Sequence, residues 1–235
     1  MRKIFVFLIG ILLAQSSAAQ KEIVVKKKDR KKDVLLQTNY GDMVVHLSDS
    51  TPLHRDNFLK LVKQKYYDSV LFHRVINNFM IQAGDPNSKN SPAGQPLGDG
   101  GPGYTVPAEF RPALFHKKGV IAAAREGDNV NPEKASSGSQ FYIVQGKKFS
   151  DAGLDSLETF RLNGRRIPAD QREIYKTIGG TPHLDQAYTV FGEVIKGLDV
   201  VDKIAIVPTS KAADRDRPLE NVMISKAKLV KRKKR

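Results

Sequence analysis

The apolar residues of this chain are cut into short, β-rich runs, and that division constrains the fold more than any other feature. The runs are Val34 to Thr38, Met43 to Leu47, Val70 to Ile76, Phe79 to Ala83, Gly119 to Ala124, Phe141 to Val144 and Thr189 to Val194, with another beginning at Val222 and Ile224. Glycine-rich and proline-rich connections separate them. Many short strands with only occasional helices exclude alternating β/α units and leave a barrel or a sandwich. With 235 residues, 40% of them hydrophobic, the chain is long enough to bury a core,. No period of 20 to 50 residues repeats, and one domain is expected.

Local signals order the elements. Asn39, Tyr40, Gly41 and Asp42 between the first two runs read as a hairpin turn. Thr51 followed by Pro52 reads as an N-cap and first-turn proline, and Phe58, Leu61, Val62 and Tyr66 keep helical spacing behind them. Leu198, Val201 and Ile204 mark a second helix. Between Lys147 and Pro182 lies a stretch with its own helical signals: Leu154, Leu157 and Phe160, then Ile174 and Ile178 before the stop at Gly179 and Gly180. It reads as an insertion lying on the barrel.

The formal net charge of +14 suggests a phosphate-seeking surface,, until its position is mapped. Arg2 and Lys3 precede an apolar run from Ile4 to Ala14 and the small residues Ser16 to Ala19. That order is a secretory signal peptide over residues 1–19, because the apolar run falls well short of the roughly 20 residues a spanning helix needs. Residues 21–33 then carry +4 and residues 226–235 carry +7, while residues 34–225 hold 23 basic and 22 acidic side chains. The expected layout is a basic linker at 20–33, a nearly neutral domain at 34–228 and a basic tail at 229–235. Blocks of like charge usually stay solvated. Export would make an anionic membrane or envelope surface the tails' weak partner, and nucleic acid is not expected.

Several chemistries are absent from the pattern. The chain has no cysteine, which removes disulfides, thiol catalysis and thiolate metal sites. The glycines from Gly98 to Gly103 are not followed by the Lys-Ser or Lys-Thr of a phosphate loop. His46, His54, His73, His116 and His183 form no i, i+4 pair, and each reads as a satisfied or surface residue; no metal and no cofactor are implied. Ser139 lacks the second glycine of a nucleophile elbow.

The concentrated signal is the segment from Phe72 to Asp85, which contains Phe72-His73-Arg74 and Phe79-Met80-Ile81-Gln82-Ala83-Gly84-Asp85. Read as two strands, it places Arg74 on one face with Phe72 and Ile76, and Met80 with Gln82 on a face of the next. One cation and one amide thus stand among large apolar side chains. By period alone this is also compatible with a buried strand pair carrying Arg74 on its rim.

With Gly98 to Tyr104, Ser137 to Ile143, Val190 to Val194 and Gly197 to Asp202, the segment resembles the cyclophilins, the cyclosporin-type peptidyl-prolyl cis–trans isomerases, in family order from about residue 34 to 228. The resemblance implies a mostly β fold: a closed eight-stranded antiparallel β-barrel capped by two α-helices, with the active groove on its outer surface. It implies that Arg74 is the catalytic arginine and that Gln82 holds its fork and the peptide backbone. Phe79, Met80, Tyr142 and Leu184 correspond to the pocket for a proline ring, and Ala124, Arg125 and Gln140 to positions that hold the peptide.

Four positions depart from the best-known eukaryotic pattern. Tyr142 stands for a phenylalanine and brings a hydroxyl that needs a partner. Tyr188 stands for a histidine, and Arg125 for an asparagine. His183 stands for the large aromatic residue that contacts cyclosporin, so weakened cyclosporin inhibition is expected. The expectation is an exported, periplasmic or secreted, monomeric isomerase acting on proline-containing polypeptides. Its rival is a non-catalytic docking module that uses the same groove.

Overall fold

The computed structural model describes residues 23–92, 94–210 and 216–232; the signal-peptide expectation lies outside them. The ten strands are β1 (Lys32–Thr38), β2 (Gly41–Leu47), β3 (Val70–Ile76), β4 (Met80–Ala83), β5 (Thr105–Val106), β6 (Val120–Ala123), β7 (Ser136–Ser137), β8 (Phe141–Val144), β9 (Val190–Lys196) and β10 (Met223–Lys231). Eight close an antiparallel barrel in the order β1-β10-β3-β4-β8-β6-β9-β2, and β5 and β7 pair separately. Closure removes the unpaired edges that short strands would otherwise expose.

Alternation sets which side chains fill the barrel. Val34 and Leu36 of β1 and Met43, Val45 and Leu47 of β2 are buried inside with Ile81, Ile121, Phe141 and Ile143. The helices α1 (Pro52–Lys63) and α4 (Leu198–Ala205) close the ends. Phe58 of α1 reaches Tyr67, Phe141 and Phe191 at ring separations of 4.9, 5.4 and 5.5 Å, while Val200, Val201 and Ile204 of α4 are buried in the same core. Thr51 occupies the N-cap of α1 without capping through its side chain. Glu109, from the long connection before β6, accepts instead from the Leu53 and His54 amides at 3.2 and 3.0 Å. A carboxylate suits the positive end of the helix better than a hydroxyl does.

Two expectations change. The basic ends are not simple tails in their described parts: β1 begins at Lys32, and β10 runs through Lys231, paired with β1 from Lys32↔Lys231 to Thr38↔Ile224. Alternation explains this, because Ala227 faces inward while Lys226 and Lys228 point to solvent. The segment before β1 is tied to α1 by Lys63 to Asp29 at 2.8 Å and by the bidentate pair Arg30 to Asp56. Second, a β-bulge between Phe72 and Arg74 divides the residues expected on one face. Phe72 turns into the barrel core, whereas Arg74 is set opposite Gln82 and Ile76 opposite Met80 on the outside.

The insertion folds as α2 (Asp151–Phe160) and α3 (Ala169–Thr177). Its small core is Leu154, Ile167 and Tyr175, with Leu157, Leu162, Phe115 and Phe149 packed against it. Phe160, expected on its apolar face, is 83% exposed; Leu162, just beyond the end of α2, lies against that core instead. Glu158 is buried and stitches the unit together by accepting from the Ile167 amide, Arg166 and Arg172 at 2.9, 2.8 and 3.0 Å. Gly180, at positive φ, returns the chain against the His116 carbonyl, where a side chain would collide with backbone.

Candidate active site

The outer face of β3, β4, β6 and β8 carries a second apolar cluster, separate from the barrel core. Met80, Val120, Ala122, Tyr142, Val144 and Val190 are buried in it, with Phe79, Ala124, Leu184 and Tyr188 packed around them. Above it opens a groove of about 500 Å³. Of the residues picked out in the sequence, Arg74, Phe79, Met80, Gln82, Ala124, Arg125, Tyr142, Leu184 and Tyr188 line this groove. Gln140 lines an adjoining depression, and His183 stacks on Phe79 at 5.7 Å.

Arg74 is held from one side by a chain of amides. Its Nη1 donates to Gln82 Oε1 at 3.4 Å, Gln82 Nε2 donates to Gln140 Oε1 at 3.1 Å, and Gln140 Nε2 donates to the Gly98 and Gly100 carbonyls at 2.7 and 2.8 Å. Each glutamine oxygen accepts one hydrogen bond along this chain, which settles the orientation of both amides,. The bulge that set Arg74 opposite Gln82 makes the first link possible.

The substituted positions have specific surroundings. The Tyr142 hydroxyl meets His116 Nε2 at 2.9 Å, and its ring packs edge-on against Tyr188 at 5.9 Å. Burial pushes this phenol well above its ordinary pKa, so Tyr142 acts as a neutral hydrogen-bonding ring. Arg125 is not a free cation at the groove edge. Its guanidinium lies over the Tyr188 ring at 4.5 Å, its Nε donates to the Ala187 carbonyl at 2.7 Å, and Asp128 pairs with it at 2.6 Å. Burial, aided by the charge of Arg161, lowers His183 to about 4, which leaves its stacked ring neutral at pH 7.

Sequence reasoning missed four lining residues: His73, Leu97, Gly98 and Asp216. Leu97 and Asp216 carry no local signal, being brought in by loops. His73 departs from the satisfied-histidine expectation: it is 3% exposed, and among the described residues neither ring nitrogen has a hydrogen-bond partner. Burial, reinforced by Arg74 and opposed by Asp85 and the Leu71 backbone, brings it down to about 4. It therefore adds no charge beside Arg74 at neutral pH. His54 and His116 are satisfied, against Glu109 with Ser136 and against Asp185 with Tyr142 respectively.

Comparison with known proteins places the chain in a family. Residues 33–229 match the family of cyclophilin-type peptidyl-prolyl cis-trans isomerases. A candidate peptidyl-prolyl cis-trans isomerase of Staphylococcus saprophyticus is 35% identical over 202 residues, covering 84% of this chain and 91% of that protein. A candidate bifunctional phosphatase/peptidyl-prolyl cis-trans isomerase of Streptococcus pyogenes is 38% identical over 81% of this chain, which spans only 37% of that longer relative. Among solved structures, a cyclophilin-type isomerase of Cryptosporidium parvum, crystallised in the presence of the dipeptide Ala-Pro, superposes with a TM-score of 0.57 at 23% identity, covering 83% of this chain and 96% of that one. The chain belongs to the cyclophilin-type peptidyl-prolyl cis-trans isomerases, and it is an enzyme of that class.

Proposed function

We propose that the groove rotates X-Pro peptide bonds with Arg74 as the catalytic residue, and that its clients are exported or envelope proteins. The observation that carries the first part is the placement of Arg74, held through Gln82 and Gln140, on the rim of an apolar pocket built on Met80 and Tyr142. An X-Pro bond resists rotation because its nitrogen lone pair is delocalised into the carbonyl, with a barrier of roughly 18–20 kcal/mol. At the twisted transition state the lone pair is localised on nitrogen and accepts a hydrogen bond that the planar ground state cannot accept equally well. A guanidinium held in place stabilises the transition state selectively. Arginine suits the task because it stays protonated and its fork is rigid.

Phe79, Met80, Leu184 and Tyr142 would hold the proline ring while the preceding carbonyl turns, and Gln82, Gln140 and Ala124 would hold the peptide backbone. The Ala-Pro dipeptide used with the Cryptosporidium relative is a small ligand of the same chemical type. The basic, apolar and small-residue order at the N-terminus supports export, to a periplasm or to the medium,. There the uncatalysed reaction, lasting tens to hundreds of seconds, would delay folding of proline-bearing chains.

The test is isomerisation of a proline tetrapeptide by the unmodified protein and by Arg74→Ala. The variant should lose about 100-fold or more in kcat/KM, the usual effect of removing one such donor, with its thermal transition retained. Near-normal turnover by Arg74→Ala would refute the role, and peptide binding without turnover by the unmodified protein would make the groove a docking module.

A further inference from the structure

The insertion contributes no residue to the lining of the groove among the described residues, yet it is joined to the pocket floor by a buried polar chain. Tyr175, in α3, is fully buried and donates from its hydroxyl to Asp185 Oδ2 at 2.7 Å. Asp185 Oδ1 accepts from the His116 amide at 2.8 Å and faces His116 Nδ1 at 2.9 Å. His116 Nε2 meets the Tyr142 hydroxyl at 2.9 Å. Asp185 thus ties Tyr175 to the Nδ1 side of His116, and the Nε2 side is left to meet the Tyr142 hydroxyl.

We infer that the insertion sets how well the groove holds a proline ring, acting through Tyr175, Asp185 and His116 as positioning residues for Tyr142. The inference deepens the isomerase reading of the groove and rests on it. Tyr142 is 5% exposed and belongs to the pocket floor, and its ring is pinned at its far tip by the His116 contact. Asp185 directly follows Leu184, another groove residue, and so stands at the pocket's edge. The His116 side of the chain is also clamped by backbone, since the Thr181 amide donates to the His116 carbonyl at 2.8 Å and Lys118 donates to Gly179 at 2.9 Å. Arg165, also from the insertion, donates to the Asp185 carbonyl at 3.1 Å. The Tyr175 hydroxyl, both Asp185 oxygens, both His116 ring nitrogens and the Tyr142 hydroxyl each have a partner in this chain, and removing one hydroxyl leaves the next group unsatisfied,. Loosening Tyr175 therefore reaches the pocket through Asp185 without altering any groove side chain.

A double-mutant cycle tests this, with Tyr175→Phe and Tyr142→Phe made singly and together in the full chain. The KM and kcat for a proline tetrapeptide and the Kd for the same peptide by NMR titration are the readouts. Tyr175→Phe should raise KM and Kd by about fivefold, within the usual coupling of contacting groups, while kcat changes less than twofold. In the Tyr142→Phe background the same substitution should have almost no effect. Unchanged KM and Kd in Tyr175→Phe, or equal effects in both backgrounds, would overturn the inference. Asp185→Asn is the second route should Tyr175→Phe fail to fold, with the same expected dependence on Tyr142. Because Kd is read alongside turnover, inactivity of the unmodified protein would count against the isomerase reading while the coupling remained measurable.

Discussion

At the scale of single residues, the groove sets the Arg74 guanidinium near two imidazoles held neutral and a second guanidinium that is already paired. Arg125 is paired with Asp128 and stacked on Tyr188, and His73 and His183 are both lowered to about 4, chiefly by burial. The His73 ring has a measurable consequence. In the unfolded chain it takes up a proton near pH 6.5, whereas in the folded protein it does so only near 4,. Between those values the unfolded state binds more protons, so stability rises with pH there and is lost as pH falls through the window. The effect is on the order of 3 kcal/mol for a shift of this size. Urea unfolding from pH 7 to 4.5 should show that loss, with a shallower slope in His73→Gln; parallel slopes would show that the ring does not titrate as described.

At the scale of elements, β10 shows how pattern and charge compete. Read as a block of like charge, residues 226–235 belong to solvent; read at period two, Ala227 and Leu229 have an inward side and the lysines an outward one. Pairing with β1 decides in favour of the strand, because β10 also bridges β1 to β3 and so closes the barrel. Truncation before Lys226 should therefore unfold the domain, read as loss of the cooperative thermal transition, whereas removal of a solvated tail would leave the transition unchanged. The bulge in β3 works at the same scale. One extra residue between Phe72 and Arg74 lets the strand bury Phe72 inside and present Arg74 outside, which regular alternation forbids.

At the scale of the whole molecule, the positive charge stands apart from the chemistry. Residues 34–225 carry a net charge near zero, and the basic excess lies at the two ends, which β1 and β10 bring together side by side. Lys226 and Lys228 point outward from that pair. If this face holds the protein near an anionic surface, co-sedimentation with phosphatidylglycerol vesicles should fall in Lys226→Gln/Lys228→Gln while isomerase activity stays unchanged. Equal co-sedimentation would leave these lysines a solubilising role only. A double substitution is the proper test, since truncation would remove a strand of the barrel as well.

Much of this protein was legible from its sequence alone. Period-two runs, the Thr51-Pro52 start and the block from Phe72 to Asp85 are local signals, and they marked the eight barrel strands, the first helix and the groove residues Arg74, Phe79, Met80 and Gln82; the resemblance to the cyclophilins added Ala124, Arg125, Tyr142, Leu184 and Tyr188. What tertiary structure alone decided are the partnerships made across long separations. Glu109 rather than Thr51 caps α1, Gln140 rather than a neighbour completes the hold on Arg74, and His116 answers the hydroxyl that the sequence left unexplained on Tyr142. A buried polar group must find a partner, but the chain's local pattern carries no record of which distant residue will lie within about 3 Å of it once the barrel closes.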